Sequence, residues 1–296
     1  MADFSPQARR SAMWSGDARR IAAGRQVEVY LEKIGQKPIE DLSGIEAVQI
    51  GLTMQPAIAK EFERRTGMTV RDLDIEGTHP SEPWMRSHFD YELPNRKLLE
   101  VKNYHLNARS KFGESGSQEV PVADWAQCIH EASVYGTDLV YLCVLFGGQE
   151  LCWYPLEISN EMKEALMIQE AAIWAGVQTK TPPESQHPED LRAIFPVSQA
   201  RIVKGDQSVA MAVHKLKIIR EQRKALEEAE ETLQGQVQAL MKDADELLGP
   251  DGERLATWKS AKASQRFDAK LFEQSMPDIY KQFVREMPGS RRFLVK

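Results

Sequence analysis

No stretch of this 296-residue chain comes near the roughly 20 consecutive apolar residues that cross a bilayer, so no membrane span is expected. The opening "MADFSPQARRSAMW" also lacks the apolar run of a secretory signal, which sets the expectation of a cytoplasmic protein. Cysteine is scarce. Cys128, Cys143 and Cys152 form no Cys-x-x-Cys pair and fall one thiolate short of a four-sulfur zinc or iron–sulfur site. All three lie in apolar stretches, as buried free thiols in a reducing compartment would. His79, His88, His105 and His130 show no metal-ligand spacing, and no internal repeat is evident. Positive net charge is missing too: the balance is −6, which argues against a uniformly basic coat for nucleic acid but leaves room for a local one. Residues 1–25 carry five arginines against Asp3 and Asp17, a local +3, while acid gathers at 227–246.

What is present is an ordinary globular composition, 42% hydrophobic and 28% charged, long enough for one large domain or a domain with an appendage. Residues 5–33 read as helical with interruptions at Gly16 and Gly24. "TMQPAIAKEFERRTG" predicts a helix capped by Thr53, with Pro56 in its first turn, Gly67 as its stop, and Ile58, Ala59 and Phe62 on one apolar face. Strand character follows at 69–77 and at 88–102. The polar stretch 107–118 reads as a mobile loop, then "PVADWAQCIHEASVYG" as a helix between Pro121 and Gly136. "DLVYLCVLFGGQELCWYPLEI" is a hairpin turned at Gly147-Gly148. Helix, three strands, helix and strand pair make an α/β fold around a mixed sheet. A helix at 158–176 precedes a proline-rich boundary at 179–190. Beyond it Ile219, Leu226, Leu233, Leu240 and Leu247 recur every seven residues, a seam for a coiled coil or for packing within the chain. A short strand pair and a last helix close the chain.

"HFDYELPNRKLLEVK" carries the chemistry. With the turn centred on Asn95, residues whose numbers sum to 190 face each other, and Asp90 lies across from Glu100. Cβ atoms across an antiparallel pair are about 4.5–5.5 Å apart. Two carboxylates at about 5 Å repel by roughly 3 kcal/mol at an effective dielectric of about 20. A divalent cation between them is the simplest reason to keep such a pair. Alternation puts Lys102 on the face of Glu100, where it can polarise a water, and turns Leu99 and Val101 to the core. A solvated surface hairpin with one salt bridge would give the same letters; Glu161-Met162-Lys163 repeats the Glu-x-Lys spacing on an amphipathic helix.

An Asp followed by Glu-x-Lys on adjacent strands, after one helix and before another, resembles the PD-(D/E)xK nucleases. Within them, "GLTMQPAIAKEFERRTG", "HPSEPWMRSHFDYEL", "LLEVKNY" and "DWAQCIHEASVYG" resemble the phage-type recombination exonucleases of the YqaJ-like group, which includes the phage lambda exonuclease. The resemblance covers about residues 5–157. It implies a restriction-endonuclease-like core over 1–178, a linker at 179–206 and a helical, coiled-coil-like C-terminal extension at 207–296. Asp90, Glu100 and the Val101 carbonyl would hold Mg²⁺, with Mn²⁺ able to substitute. Lys102 would orient or activate the attacking water, and Gln127 would help complete the site. Gln55 stands where many relatives have a glutamate; it can bond a metal-bound water but brings no charge.

Further candidates each have a plainer alternative. Ser15, with Asp17 and Arg10 or Arg19, could grip a 5′ phosphate, or Ser15 could simply cap a helix. Ser87 would line the DNA path. Arg109 and Lys111 would contact phosphates, or be ordinary solvated loop charges. The implied activity is 5′-to-3′ degradation of one strand of duplex DNA with free ends, by a ring-shaped homotrimer working beside a single-strand annealing protein. The alternatives are an endonuclease of the same fold and a non-catalytic DNA-binding or assembly module.

Overall fold

The computed structural model describes residues 5–42, 44–185, 187–285 and 289–296, so Asp3 lies outside the described residues. Ser5 caps helix α1 (Pro6–Arg10) by accepting from the Ala8 N–H, with Pro6 at a position where no helical donor is needed. A two-residue strand, β1 (Met13–Trp14), leads straight into α2 (Ser15–Ala22). Gly24, in the left-handed region at φ 79°, separates α2 from α3 (Gln26–Lys33). Gly16, expected as an interruption, lies inside the first turn of α2; the break comes earlier, where the chain extends to join the sheet.

Helix α4 (Glu46–Thr66) starts two turns before the expected cap. Thr53 lies within it, its hydroxyl donating to the Gln49 carbonyl, and Pro56 is internal. The helix survives Pro56 because the carbonyl left without a donor belongs to exposed Leu52, where water can bond it. Gly67 ends the helix in the left-handed conformation, as expected. Ile58, Ala59 and Phe62 are buried against Leu99, Val101 and Cys143 of the sheet. The two larger side chains contribute about 1.5–3 kcal/mol each by leaving water.

The sheet comprises β1, β2 (Arg71–Thr78), β3 (Met85–Leu93), β4 (Lys97–Tyr104), β5 (Leu139–Phe146) and β6 (Glu150–Glu157), in the order β1-β3-β4-β5-β6, with β2 also on β3. It is mixed: β1 runs parallel to β3 and β4 parallel to β5, while β2–β3, β3–β4 and β5–β6 are antiparallel. The β3–β4 ladder pairs Tyr91 with Leu99, Glu92 with Leu98 and Leu93 with Lys97, the expected register. Asn95 and Arg96, both at positive φ, make its turn.

β3 and β4 then part company. Their last ladder pair is Tyr91–Leu99, while β2 holds the far edge of β3 from Arg86 to Glu92. The near edge that β4 leaves is taken up at Met85 and Arg86 by β1. The sheet therefore opens as a fork between β3 and β4, with Asp90 and Glu100 one position beyond the crotch.

α5 (Val122–Tyr135) crosses the face opposite α4, burying Cys128 and Ala132 with Leu98, Leu142 and Val144. Fully buried His130 ties it in place: Nε2 donates to the Arg86 carbonyl at 2.9 Å and Nδ1 to Glu170 of α6 (Asn160–Thr179) at 2.9 Å. Two acceptors demand two ring protons. Burial opposes that charge, but Glu170 outweighs it and holds the imidazole above its usual value. The expected mobile loop after β4 instead contains a 3-10 turn, Leu106–Lys111.

After α7 (Pro188–Ile194), one compact unit ends at Phe195 and a second begins at Pro196, so the expected linker 179–206 straddles the division. The second unit holds α8 (Gln207–Met241), a hairpin of β7 (Glu246–Leu248) and β8 (Arg254–Thr257), and two short helices, α9 (Ala269–Ser275) and α10 (Pro277–Phe283). Asp206 caps α8, and Arg223–Glu227 and Lys224–Glu228 pairs support it one turn apart. Ile219, Leu226, Leu233 and Leu240 of the seven-residue seam are exposed.

Candidate active site

At the fork, β3 brings Asp90 and β4 brings Glu100 and Lys102. With no ladder partner opposite, the Val101 N–H turns to the Asp90 side chain and donates to Oδ2 at 3.1 Å. Gln55, reaching in from α4, donates to the same oxygen at 3.4 Å. Glu100 is only 5% exposed, and its Oε1 accepts from Lys102 Nζ at 2.5 Å and from Gln127 Nε2 at 2.7 Å. The structure thus joins Asp90, Glu100, Lys102, Gln55 and Gln127, drawn from four elements, in one place.

The electrostatics are those of too many carboxylates for the local positive charge. Burial, reinforced by the neighbouring Glu100, pushes the Asp90 carboxyl well above its usual value, against the pull of Lys102 and the Val101 N–H. Burial works against the Lys102 ammonium, yet Glu100, Tyr104 and Asp90 together hold it above the usual lysine value. Lys102 is therefore a firm cation. The oxygen donors are hard ones, two carboxylates beside a backbone carbonyl, and fit a small divalent ion. Among the described residues, no group of three or more His, Cys, Asp or Glu side chains is placed to hold a metal by itself.

A cleft of about 820 Å³ opens over the fork, its floor including Asp90, Glu100, Lys102 and Gln127. One wall is α2 and its surroundings, with Ser15, Arg9, Arg19, Arg20 and Arg25. Ser15 is not the cap of α2; Asp17 does that work, accepting from the Trp14 N–H at 3.0 Å. Nor is Asp17 a phosphate grip, because it is buried and ion-paired to Lys33 and Arg20. Arg19 reaches the cleft already engaged: it donates to the Tyr104 hydroxyl at 2.8 Å and pairs with Asp124 at 3.3 Å.

Four expected DNA contacts fall elsewhere. Arg10 does not line the cleft; its Nε donates to the Glu32 carbonyl, and Arg9 takes the cleft position. Ser87 is fully buried, because alternation along β3 turns it inward between half-buried Arg86 and His88. Arg109 clamps its own loop, donating to the carbonyls of Phe112 and Gly113 and to Glu150. Lys111 is exposed at the end of the same turn. Neither Arg109 nor Lys111 lines the cleft.

One group at the site escaped sequence reasoning. Glu131 is 2% exposed, lines the cleft and accepts from Gln127 Nε2 at 2.9 Å. Its signal was a spacing: four residues after Gln127, on the same face of α5.

Residues 7–138 match the family described as the YqaJ-like viral recombinase domain. The uncharacterized protein YqaJ of Bacillus subtilis (strain 168) is 27% identical over 278 residues, covering 91% of this chain and 85% of that protein. Among solved structures, the alkaline exonuclease LHK-Exo of Laribacter hongkongensis is similar with a TM-score of 0.46 at 12% identity, covering 59% of this chain and 92% of that one. A phage related exonuclease of Haemophilus somnus 129PT gives a TM-score of 0.47 at 10% identity, covering 57% and 94%.

Proposed function

We propose that this chain, whose residues 7–138 match the YqaJ-like viral recombinase domain, is a divalent-metal-dependent deoxyribonuclease. Its substrate is linear duplex DNA, degraded one strand at a time from the 5′ end to leave single strands for recombination. The observation that carries the reading is the fork, where Asp90 and Glu100 meet beside a firmly charged Lys102 with two glutamines bonded to them.

Asp90, Glu100 and the Val101 carbonyl would hold Mg²⁺, or Mn²⁺ in its place. When bound, the ion supplies charge stabilisation at the attacked phosphate. The chain's own residues do the rest. Lys102 holds and polarises the attacking water, and Gln127 keeps one oxygen of Glu100 occupied so that the other faces the cleft. Gln55 steadies Asp90. Ser15 and the arginines of the α2 wall favour a phosphate at a strand end. A homotrimeric ring around DNA and a single-strand annealing partner belong to the same proposal, on the strength of the family resemblance.

Digestion of linear duplex labelled at the 5′ or the 3′ end, with Mg²⁺, tests it. Early release of the 5′ label from linear duplex, with closed circles untouched, is the expected result. Early 3′ release would reverse the polarity, and cutting of closed circles would make the protein an endonuclease. No hydrolysis with Mg²⁺ or Mn²⁺ would leave a binding module.

Lys102 sharpens the test. Its contact with the water strengthens as charge develops, so it matters more to the chemical step than to holding DNA. Lys102→Ala is expected to lose at least about a hundredfold in single-turnover rate, roughly 2.7 kcal/mol of barrier. Duplex affinity in Ca²⁺ should change far less. Lys102→Arg should rescue little, because a planar guanidinium does not replace a compact ammonium. A rate restored by saturating protein would reduce Lys102 to a phosphate contact.

A further inference from the structure

The carboxamide of Gln127 has two N–H donors on one nitrogen, and both are committed. One goes to Glu100 Oε1 at 2.7 Å, the other to Glu131 Oε1 at 2.9 Å. All three side chains are buried, so neither bond is readily exchanged for water. If the amide turned over, both N–H donors would lose these acceptors, and its oxygen would face the oxygens of the two carboxyl groups. Glu131 therefore fixes which way Gln127 points. With Glu100 alone as acceptor, the amide could still pivot about that one bond. With two acceptors one helical turn and one strand apart, it cannot. The amide oxygen is then the atom left for the cleft, an acceptor beside the place where Lys102 would hold a water.

Burying a third carboxyl at a site already crowded with two is an unfavourable arrangement for stability alone. Burial and the neighbouring Glu100 both push the Glu131 carboxyl well above its usual value, which marks how poorly the surroundings suit a charge. Among the described residues, the Gln127 amide is the one hydrogen-bond donor to its side chain. A methionine or leucine would fill the same space on α5 among Cys128, Ala132 and their neighbours without that penalty.

We propose that Glu131 is a positioning residue of the nuclease site, which through its hydrogen bond orients Gln127 and so sets the free oxygen of Glu100 and the amide oxygen of Gln127 toward the cleft. This rests on the proposed nuclease reading. It differs from that reading in predicting a role for the acceptor oxygen of Glu131 and none for its charge.

Two variants separate these. Glu131→Gln keeps an acceptor oxygen at the same distance and removes the charge; Glu131→Met removes both. Expected for Glu131→Gln is a single-turnover rate within about threefold of the parent, and for Glu131→Met a loss of about ten- to a hundredfold at saturating DNA and Mg²⁺. Duplex affinity in Ca²⁺ should be unchanged in both, giving a change in rate without one in binding. A readout independent of activity is the side-chain amide of Gln127 in nitrogen–proton spectra of the metal-free protein. In the parent and in Glu131→Gln its two protons should be shifted and slow to exchange; in Glu131→Met one of them should move to the free-amide position. Calorimetric Mn²⁺ binding should weaken in Glu131→Met alone. An unshifted Gln127 spectrum in Glu131→Met, or equal rate losses in both variants, would overturn the proposal. If the parent hydrolyses no DNA, the nuclease reading fails while the spectra still decide the orientation.

Discussion

Asp90→Asn is expected to abolish strand cleavage, by at least about a thousandfold or roughly 4 kcal/mol of barrier, while the metal-free protein becomes as stable as the parent or more so. The two effects have one cause. Asp90 is buried beside Glu100, so its charge is unfavourable in the metal-free protein, and its carboxyl is pushed well above the usual 3.8. A raised folded value means that the stability gained by protonating Asp90 is complete below about 3.8 and is lost as pH rises through the raised value. Asparagine imitates the protonated form at every pH. Its oxygen can still accept from the Val101 N–H and from Gln55, and its amide can donate toward Glu100. Thermal melts of metal-stripped protein across pH should therefore show the variant ahead at neutral pH and the gap closing in acid. Parent-like cleavage would remove Asp90 from the site, and a lowered midpoint at neutral pH would refute the electrostatic account.

Lys33→Met should be the most damaging single change in the N-terminal wall, destabilising the protein by about 3–5 kcal/mol. Lys33 is buried, with its ammonium bonded to the carbonyls of Arg9 and Ala12 and paired with Asp17. Burial lowers the Lys33 value despite Asp17, while at Asp17 burial is outweighed by Lys33 and Arg20, which keep the carboxyl ionised. Remove the lysine and three acceptors lose their donor at once. Asp17 keeps Arg20, but Arg20 is already shared with Glu32 at 2.8 Å. Urea unfolding should show a lower midpoint with an unchanged slope. The double variant Lys33→Met/Asp17→Leu should recover part of the loss, because an apolar pair leaves fewer unpaired charges behind. A shift worth under about 1 kcal/mol in the single variant would mean that water enters to replace the ammonium.

The hairpin was legible because its signals were local. Alternation, a turn centred on Asn95 and the 190 sum gave which residues face one another, and Gly67, Gly136 and Gly147-Gly148 ended elements where expected. Asp90, Glu100 and Lys102 follow from that register alone. Gln55 and Gln127 came through the family resemblance, and the geometry brings both to the carboxylates. The start of α4 was missed because Thr53 and Pro56 look like a helix beginning, and tertiary packing overrode them. What Asp17, Arg109 and Ser87 touch could not be read from the sequence, because each depends on a partner elsewhere in the fold or on the inward face of a strand. Lys33 carries no motif, and Glu131 has only its spacing from Gln127; folding shows what each touches.

The fork carries a consequence for the order in which this molecule can be built. β1, which seats the cleft wall, pairs with a strand about seventy residues further along the chain. During synthesis the wall emerges before the sheet and has nothing to dock on until β3 has been made. β2 to β4, by contrast, are neighbours along the chain and can pair as they appear. A segment made before the sheet is thus among the last to find its place, and the cleft is completed only when β1 and its helix return to a sheet that formed without them.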